Sequence, residues 1–471
     1  MEWGKLVNGE RMRHSTQLPE DSRSPFESDY DRIIYCSAFR RLQDKAQVFS
    51  LEKQDYVRTR LTHTLEVASL GRSFGKDIGD KLAKKNVKFF LSNDSVKFDI
   101  AAIISSACLI HDVGNPPFGH FGEYAIQNWF EKWFKKNDFY LKQMKDKEIL
   151  DFLKFEGNAQ SFRILTKLQY LIDGNGLNLT FAVLSTLLKY PRISTEVYKL
   201  ENSKAEPLYS KTKLKNMVSY KKHGCFQSEV DTFKKVKEKV GIKDFRHPLA
   251  FLVESADDIA NSAADVEDAF KKKAIDYSKI YSSFKKALGN KHDIVKNMNR
   301  YYRESKVQKY PEPEASVIQR LRALLQGRMF RSCISVFLQN YESIIEGEYD
   351  CDLISQANDD SQLMYNTLMD LACDNVYCNN NVISLELVGL KVINELLDIF
   401  VPAILSEQCN EIKSEMGKYF NLISPNFRFV MNNYTEETLY NKLQLATDFI
   451  CGMTDSFALD LYQKLTGYRI N

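Results

Sequence analysis

Seven histidines occur in 471 residues, and three of them, His63, His111 and His120, stand where they could do chemistry. His111-Asp112 closes the apolar run Ile100–Ile110. An imidazole beside a carboxylate is costly there unless a cation or a strong donor compensates it. The turn that follows, Val-Gly-Asn-Pro-Pro-Phe-Gly-His-Phe-Gly-Glu, holds two prolines and has three glycines between Gly114 and Gly122. It carries His120 and Glu123 back toward the pair, 9 and 12 positions after His111. His63 ends Arg58-Thr-Arg60-Leu-Thr-His63, near the start of a segment apolar on one face, and Glu254-Ser-Ala-Asp257-Asp258 sets carboxylates inside the apolar stretch Leu249–Phe270. Two imidazoles and two carboxylates suit a divalent ion such as Mn²⁺, Fe²⁺, Zn²⁺ or Mg²⁺, with water completing its shell. The pattern points to a metal-assisted hydrolase. The competing reading is a set of helix caps and buried ion pairs.

Helices must position these residues. Leu61–Leu82 has apolar residues at Leu61, Leu65, Ala68, Leu70 and Ile78, a helical period. Ile100–Ile110 reads as a buried helix stopped by Gly114 and Pro116-Pro117. Phe181–Leu188, Pro248–Phe270, Ser316–Leu338, Ser384–Ser406 and Glu436–Leu465 look alike. Strand signals are few, at Lys45–Phe49 and Phe427–Asn432. Leu200–Tyr220 and the lysine-rich Asp276–Pro313 read as surface loops or insertions. The expected fold is all-α with at most a few short strands. A catalytic part over 1–275, a linker or insertion over 276–313 and a helical C-terminal region over 314–471 are expected.

Apolar residues make up 44 % of the chain and charged residues 27 %, which excludes a disordered or collagen-like protein. No apolar stretch approaches the roughly 20 residues that span a bilayer. MEWGKLVNGERMRHS lacks the apolar core of a signal peptide, so a cytoplasmic protein is expected. The nine scattered cysteines fit reduced thiols. The net charge of +3 hides lysine clusters at Lys81–Lys85, Lys135–Lys136, Lys271–Lys273 and Lys199–Lys222. Such clusters are solvated faces or sites for polyanions.

The ordered set His63, His111-Asp112, Asp257 resembles the HD superfamily of metal phosphohydrolases. "DYDRIIYCSAFRRLQDKAQVF", "VRTRLTHTLEVASLGR", "LIHDVGNPPFGHFGE", "FEGNAQSFRIL", "LLKYPR", "VESADDIANSAADVED" and "FICGMTDSFAL" resemble, in that order, the deoxyguanosine triphosphate triphosphohydrolase family. The likeness is dense over residues 1–270 and returns near 440–465. The resemblance implies an HD-type helical core with a C-terminal helical extension. It implies hydrolysis of a dNTP, typically dGTP, to a deoxynucleoside and intact inorganic triphosphate, with water attacking the α-phosphorus beside one Mn²⁺, Mg²⁺ or Fe²⁺ ion. Carried over, His63, His111, Asp112 and Asp257 match the metal ligands, and His120, oriented by Glu123, matches a proton-transfer pair. Arg60 matches a phosphate contact, and Gln47 and Val48 lie in the segment along the deoxyribose and base. Lys189, Lys222 and Asn158 are further substrate candidates, each with a solvated or capping role as its alternative. Asn261 stands where many relatives carry a tyrosine against the sugar; it can bond a 3′-hydroxyl but offers no ring to exclude a 2′-hydroxyl. Asn115 replaces a frequent histidine. A homohexamer and a nucleotide or single-stranded DNA effector are expected by the same resemblance. The alternatives are an HD phosphohydrolase for other nucleotides, and a non-catalytic dNTP- or nucleic-acid-binding regulator.

Overall fold

The structure, a computed structural model, describes all residues except 15–20, 52–53, 92–94, 170–172, 202–203, 209–216 and 469–471. The fold is all-α. Strands among the described residues are confined to one antiparallel hairpin, Tyr198–Glu201 with Lys204–Pro207, in which Tyr198 faces Pro207. One continuous apolar cluster takes in Trp3, Val67, Phe284, Phe337, Phe400 and Ala458. No helix among the described residues is long and apolar enough to cross a membrane.

Three helices position the site. Arg60–Lys84 begins at Thr59, whose side chain accepts the Thr62 N–H in a capping box. Its buried face carries His63, Val67, Phe74, Ile78 and Leu82. Along the same helix Gly71 and Gly75 let Val96–Ile110 approach closely: a Cβ on Gly75 would fall 2.5 Å from the Ala101 Cα, and one on Gly71 would fall 2.6 Å from the Cys108 sulfur. That approach sets His63 against His111, the residue that closes Val96–Ile110. Ala250–Lys271, buried along most of its length, packs on both and carries Asp257.

Five sequence expectations change. Lys45–Phe49 is not a strand; only Ala46 forms an isolated bridge, to Thr59, because no further extended segment lies alongside. Phe427–Asn432 lies in the helix Pro425–Tyr434: Pro425 is pre-set for the first turn, and Phe427 and Val430, three apart, are buried together. Asp276–Pro313 is not a loop but forms Tyr277–Leu288 and Asp293–Val307. Its lysines mask two amphipathic faces, with Ile280, Phe284, Ile294, Val295 and Met298 fully buried. Glu436–Leu465 breaks into Leu439–Cys451 and Asp455–Leu465. In Leu200–Tyr220 the hairpin replaces part of the expected loop, and residues 202–203 and 209–216 lie outside the described residues.

Candidate metal centre

His63, His111 and Asp257 converge from the three helices, with one ligand atom of each within 4.8 Å of the others. His63 Nε2 lies 3.0 Å from Asp257 Oδ1, and His111 Nε2 lies 3.5 Å from the same oxygen. His111 donates through Nδ1 to the Cys108 carbonyl at 2.6 Å, which fixes its tautomer and turns Nε2 inward. That Nε2 is buried and has no hydrogen-bond partner. Once it gives up its proton, this buried imidazole nitrogen beside a carboxylate offers a lone pair that a divalent cation can take, so the residues fit a metal. Asp112 stands at the rim, Oδ1 3.6 Å from His111 Nε2. Its oxygens also accept from Arg60 Nη1 and, at 2.7 Å, from Asn115 Nδ2. Asn115 therefore orients a ligand candidate.

The charges are strongly coupled. Burial alone would lower the His111 pKa, but Asp112 and Asp257 outweigh it and lift it to about 9. Burial would raise Asp112, yet Arg60 and His111 bring it to about 2. Asp257 is likewise held well below the carboxylate range by the two imidazoles despite its burial. Metal binding here competes with protons.

The cluster opens into a cavity of about 400 Å³. Gln47, Val48, Arg60, His111, Asp112, His120, Asn158, Lys189, Lys222, Asp257 and Asn261 all line it, while His63 and Glu123 sit behind the wall. His120 is open to the cavity, its side chain 79 % exposed, with Nδ1 3.0 Å from Glu123 Oε2. The other Glu123 oxygen accepts the Gly157 N–H at 2.8 Å. The bond to Glu123 raises the His120 pKa, and His120 and Lys222 together lower that of Glu123 against its burial. Every lysine candidate is already paired: Lys189 with Glu254 at 2.9 Å, and Lys222 with Glu156 at 2.9 Å. Asn158 donates to Glu156 at 2.7 Å. Asn261 donates to Asp257 Oδ1 at 3.0 Å and accepts from Gln47 Nε2 at 2.7 Å.

The HD domain family model matches residues 60–155, which hold His63, His111, Asp112, His120 and Glu123. Across 488 aligned positions the chain is 36 % identical to a deoxyguanosinetriphosphate triphosphohydrolase-like protein of Listeria monocytogenes, covering 99 % of this chain and 100 % of the relative. A protein of the same name from Synechocystis is 35 % identical, with 100 % of each covered. A deoxyguanosinetriphosphate triphosphohydrolase of Salmonella paratyphi A is 30 % identical over 93 % of each. The chain belongs to the deoxyguanosinetriphosphate triphosphohydrolase family. As a member it is a metal-dependent phosphohydrolase, and His63, His111 and Asp257 form its candidate metal centre.

The cavity of this family member is also lined by Glu254 and Asp258 of the carboxylate segment read in the sequence and, beyond the residues legible there, by Tyr190 and Asp265 and by Tyr365, Met369 and Tyr377 from the C-terminal half. Tyr190 directly follows the singled-out Lys189, and that adjacency was a usable signal. Tyr365 and Met369, four apart on Asp359–Ala372, carry no chemical signature in a sequence. Tyr377 donates to Asp265 at 2.6 Å, so the far wall is tied to the helix that bears Asp257.

Proposed function

We propose that this family member hydrolyses dNTPs, dGTP first, to a deoxynucleoside and inorganic triphosphate by attack of water on the α-phosphorus. The observation that supports this most is the convergence of the His63–His111–Asp257 cluster, the His120–Glu123 pair and the two lysines on one cavity of about 400 Å³. A divalent ion held by His63, His111 and Asp257, with Asp112 at its rim, would supply Lewis-acid polarisation of the phosphate and a more acidic water. Mn²⁺, Mg²⁺ and Fe²⁺ all suit this donor set.

His120 faces the cavity and takes the proton of the attacking water. Glu123, held as a carboxylate by Lys222 and the Gly157 N–H, keeps the imidazole oriented and more basic. Arg60, Lys189 and Lys222 supply the positive charge facing the triphosphate. The sugar is read at Gln47 and Asn261. An ionised Asp257 only accepts, so the Asn261 amide points its NH₂ there and its carbonyl toward Gln47 Nε2. Gln47 Oε1 is thereby left as a buried acceptor without a partner, suited to a sugar hydroxyl donor. The dGTP preference has the support of the Salmonella relative's name. The cytoplasmic location, the homohexamer and a nucleotide or single-stranded DNA effector belong to the same proposal, by resemblance.

The test is a product assay. The protein with Mn²⁺ receives each dNTP and GTP separately, and the products are resolved by ion exchange. Deoxyguanosine with intact triphosphate is expected. Orthophosphate would place cleavage at the γ-phosphate, and pyrophosphate would place it between the α- and β-phosphates rather than at the 5′-oxygen; either would overturn the reading. Equal cleavage of GTP would show that Asn261 leaves the 2′-hydroxyl unread.

A further inference from the structure

Two buried charges lie behind the metal-binding turn and outside the HD match. Lys45, 2 % exposed, donates from Nζ to the Asn115 carbonyl at 2.6 Å and to the Cys451 carbonyl at 2.7 Å. Asp455, also 2 % exposed, accepts the Phe118 N–H at 3.0 Å on one oxygen and the Ala46 N–H at 3.1 Å on the other. The main chain of Lys45 joins in, since its carbonyl accepts the Arg60 N–H at 2.9 Å, at the first turn of the helix that carries His63. Ser456 Oγ closes the junction onto Asp44 at 2.8 Å.

These bonds fall at informative places. The turn from His111 to His120 has a site residue at each end. It is fastened at Asn115 by Lys45 and at Phe118 by Asp455. Asn115 in turn holds Asp112 Oδ1 through its side chain. Phe118 sits at φ 63°, a left-handed conformation that costs a non-glycine residue about 1 kcal/mol or more and needs outside support. Two residues later comes His120. The carbonyl of Asn115 and the N–H of Phe118 are both buried, and each loses its partner if the clasp opens.

We propose that Lys45 and Asp455 are positioning residues of the metal centre, and that the helix pair Leu439–Cys451 and Asp455–Leu465 is a part of the catalytic unit. The clasp joins three segments that are remote in sequence: residues 44–46, the His111–His120 turn and residues 451–456. It accounts for the "FICGMTDSFAL" segment, which contributes no residue to the cavity lining. The proposal rests on the metal reading of the centre and is independent of which nucleotide is hydrolysed.

The experiment measures Mn²⁺ affinity by titration calorimetry on the full-length protein, with far-UV circular dichroism as the check on folding. Lys45→Met removes both donors at nearly constant volume, and Asp455→Asn keeps the shape but can accept from only one of the two N–H groups. Substitutions that disturb the support of metal ligands typically cost 10–100-fold in affinity. Lys45→Met is expected to weaken Mn²⁺ binding roughly tenfold or more, Asp455→Asn somewhat less, and the double variant by less than the product of the two. Should Lys45→Met not fold, Asp455→Asn and hydrogen exchange on the wild-type protein decide: Mn²⁺ should slow exchange across residues 444–458. Folded variants that bind Mn²⁺ within twofold of wild type, or no Mn²⁺-dependent protection at 444–458, would overturn the clasp. A wild-type protein that binds no Mn²⁺ would overturn the metal reading and the clasp with it.

Discussion

The two sides of the cavity solve opposite electrostatic problems. On the metal side, carboxylates and imidazoles crowd together, and His111 Nε2 is buried without a hydrogen-bond partner. On the facing side, every cation has its carboxylate: Lys189 lies on Glu254, which also takes Arg246, and Lys222 lies on Glu156. The first side calls for a cation. The second has its cations already paired and gains from an anion only by loosening pairs already made. An unpaired buried group costs more than a paired one gains. The metal side should therefore be all-or-none in its response to substitution, and the lysine side graded.

The largest expected effect comes from breaking the metal side. Asp257→Ala removes the carboxylate shared by both imidazoles and by Asn261. Lewis-acid stabilisation is worth several kcal/mol, so turnover should fall by roughly 10³-fold or more, with Mn²⁺ binding lost in the same calorimetric titration. A variant that still binds Mn²⁺ at wild-type strength would contradict the His63–His111–Asp257 centre.

His120 sharpens the comparison, because it faces the cavity without joining the metal cluster. His120→Ala should keep Mn²⁺ affinity while kcat drops by roughly 10²–10⁴-fold. The pH profile carries the sign. The bond to Glu123 raises the His120 pKa, so the neutral, proton-accepting imidazole is lost as pH falls through a value above the ordinary 6.5. Glu123→Gln removes that support, and the acid limb of kcat/KM should move to lower pH while kcat decreases. A limb that stays in place would assign the titration to another group.

Legibility follows the same division. The metal side could be read from residue types, because His111-Asp112 at the end of Ile100–Ile110 and Asp257 within Leu249–Phe270 are costly where they stand, and that cost is visible without a fold. The all-α class was legible in the same way, from helical periodicity. The pairing on the other side was not. Glu254 and Glu156 lie 65 and 66 positions from Lys189 and Lys222, and nothing local couples them. Lys45 and Asp455 are further still from each other, and their partners are main-chain groups, which no side-chain pattern announces. Asp276–Pro313 shows a different limit. Its lysines suggested a loop, while burial at Ile280, Phe284, Val295 and Met298 sets the helices. Pro425 likewise marks a helix start that a β-prone composition obscured.

The smallest expected effect tests the graded side directly. Glu156 is buried between Lys222 Nζ at 2.9 Å and Asn158 Nδ2 at 2.7 Å. Lys222 is also 3.8 Å from Glu123, so it faces two carboxylates with one charge. Glu156→Gln removes one of them and retains an oxygen for Asn158. Lys222 then carries more uncompensated charge toward the cavity. Lys222 keeps Glu123 as a second partner, so the gain in free charge is partial: KM for the nucleotide should fall by about threefold, with kcat changed less than that. Glu156→Gln should also leave Mn²⁺ affinity unchanged, unlike any change on the metal side. A rise in KM would mean that Glu156 holds Lys222 in its productive place rather than restraining it, and the cavity wall would then be preorganised on both sides.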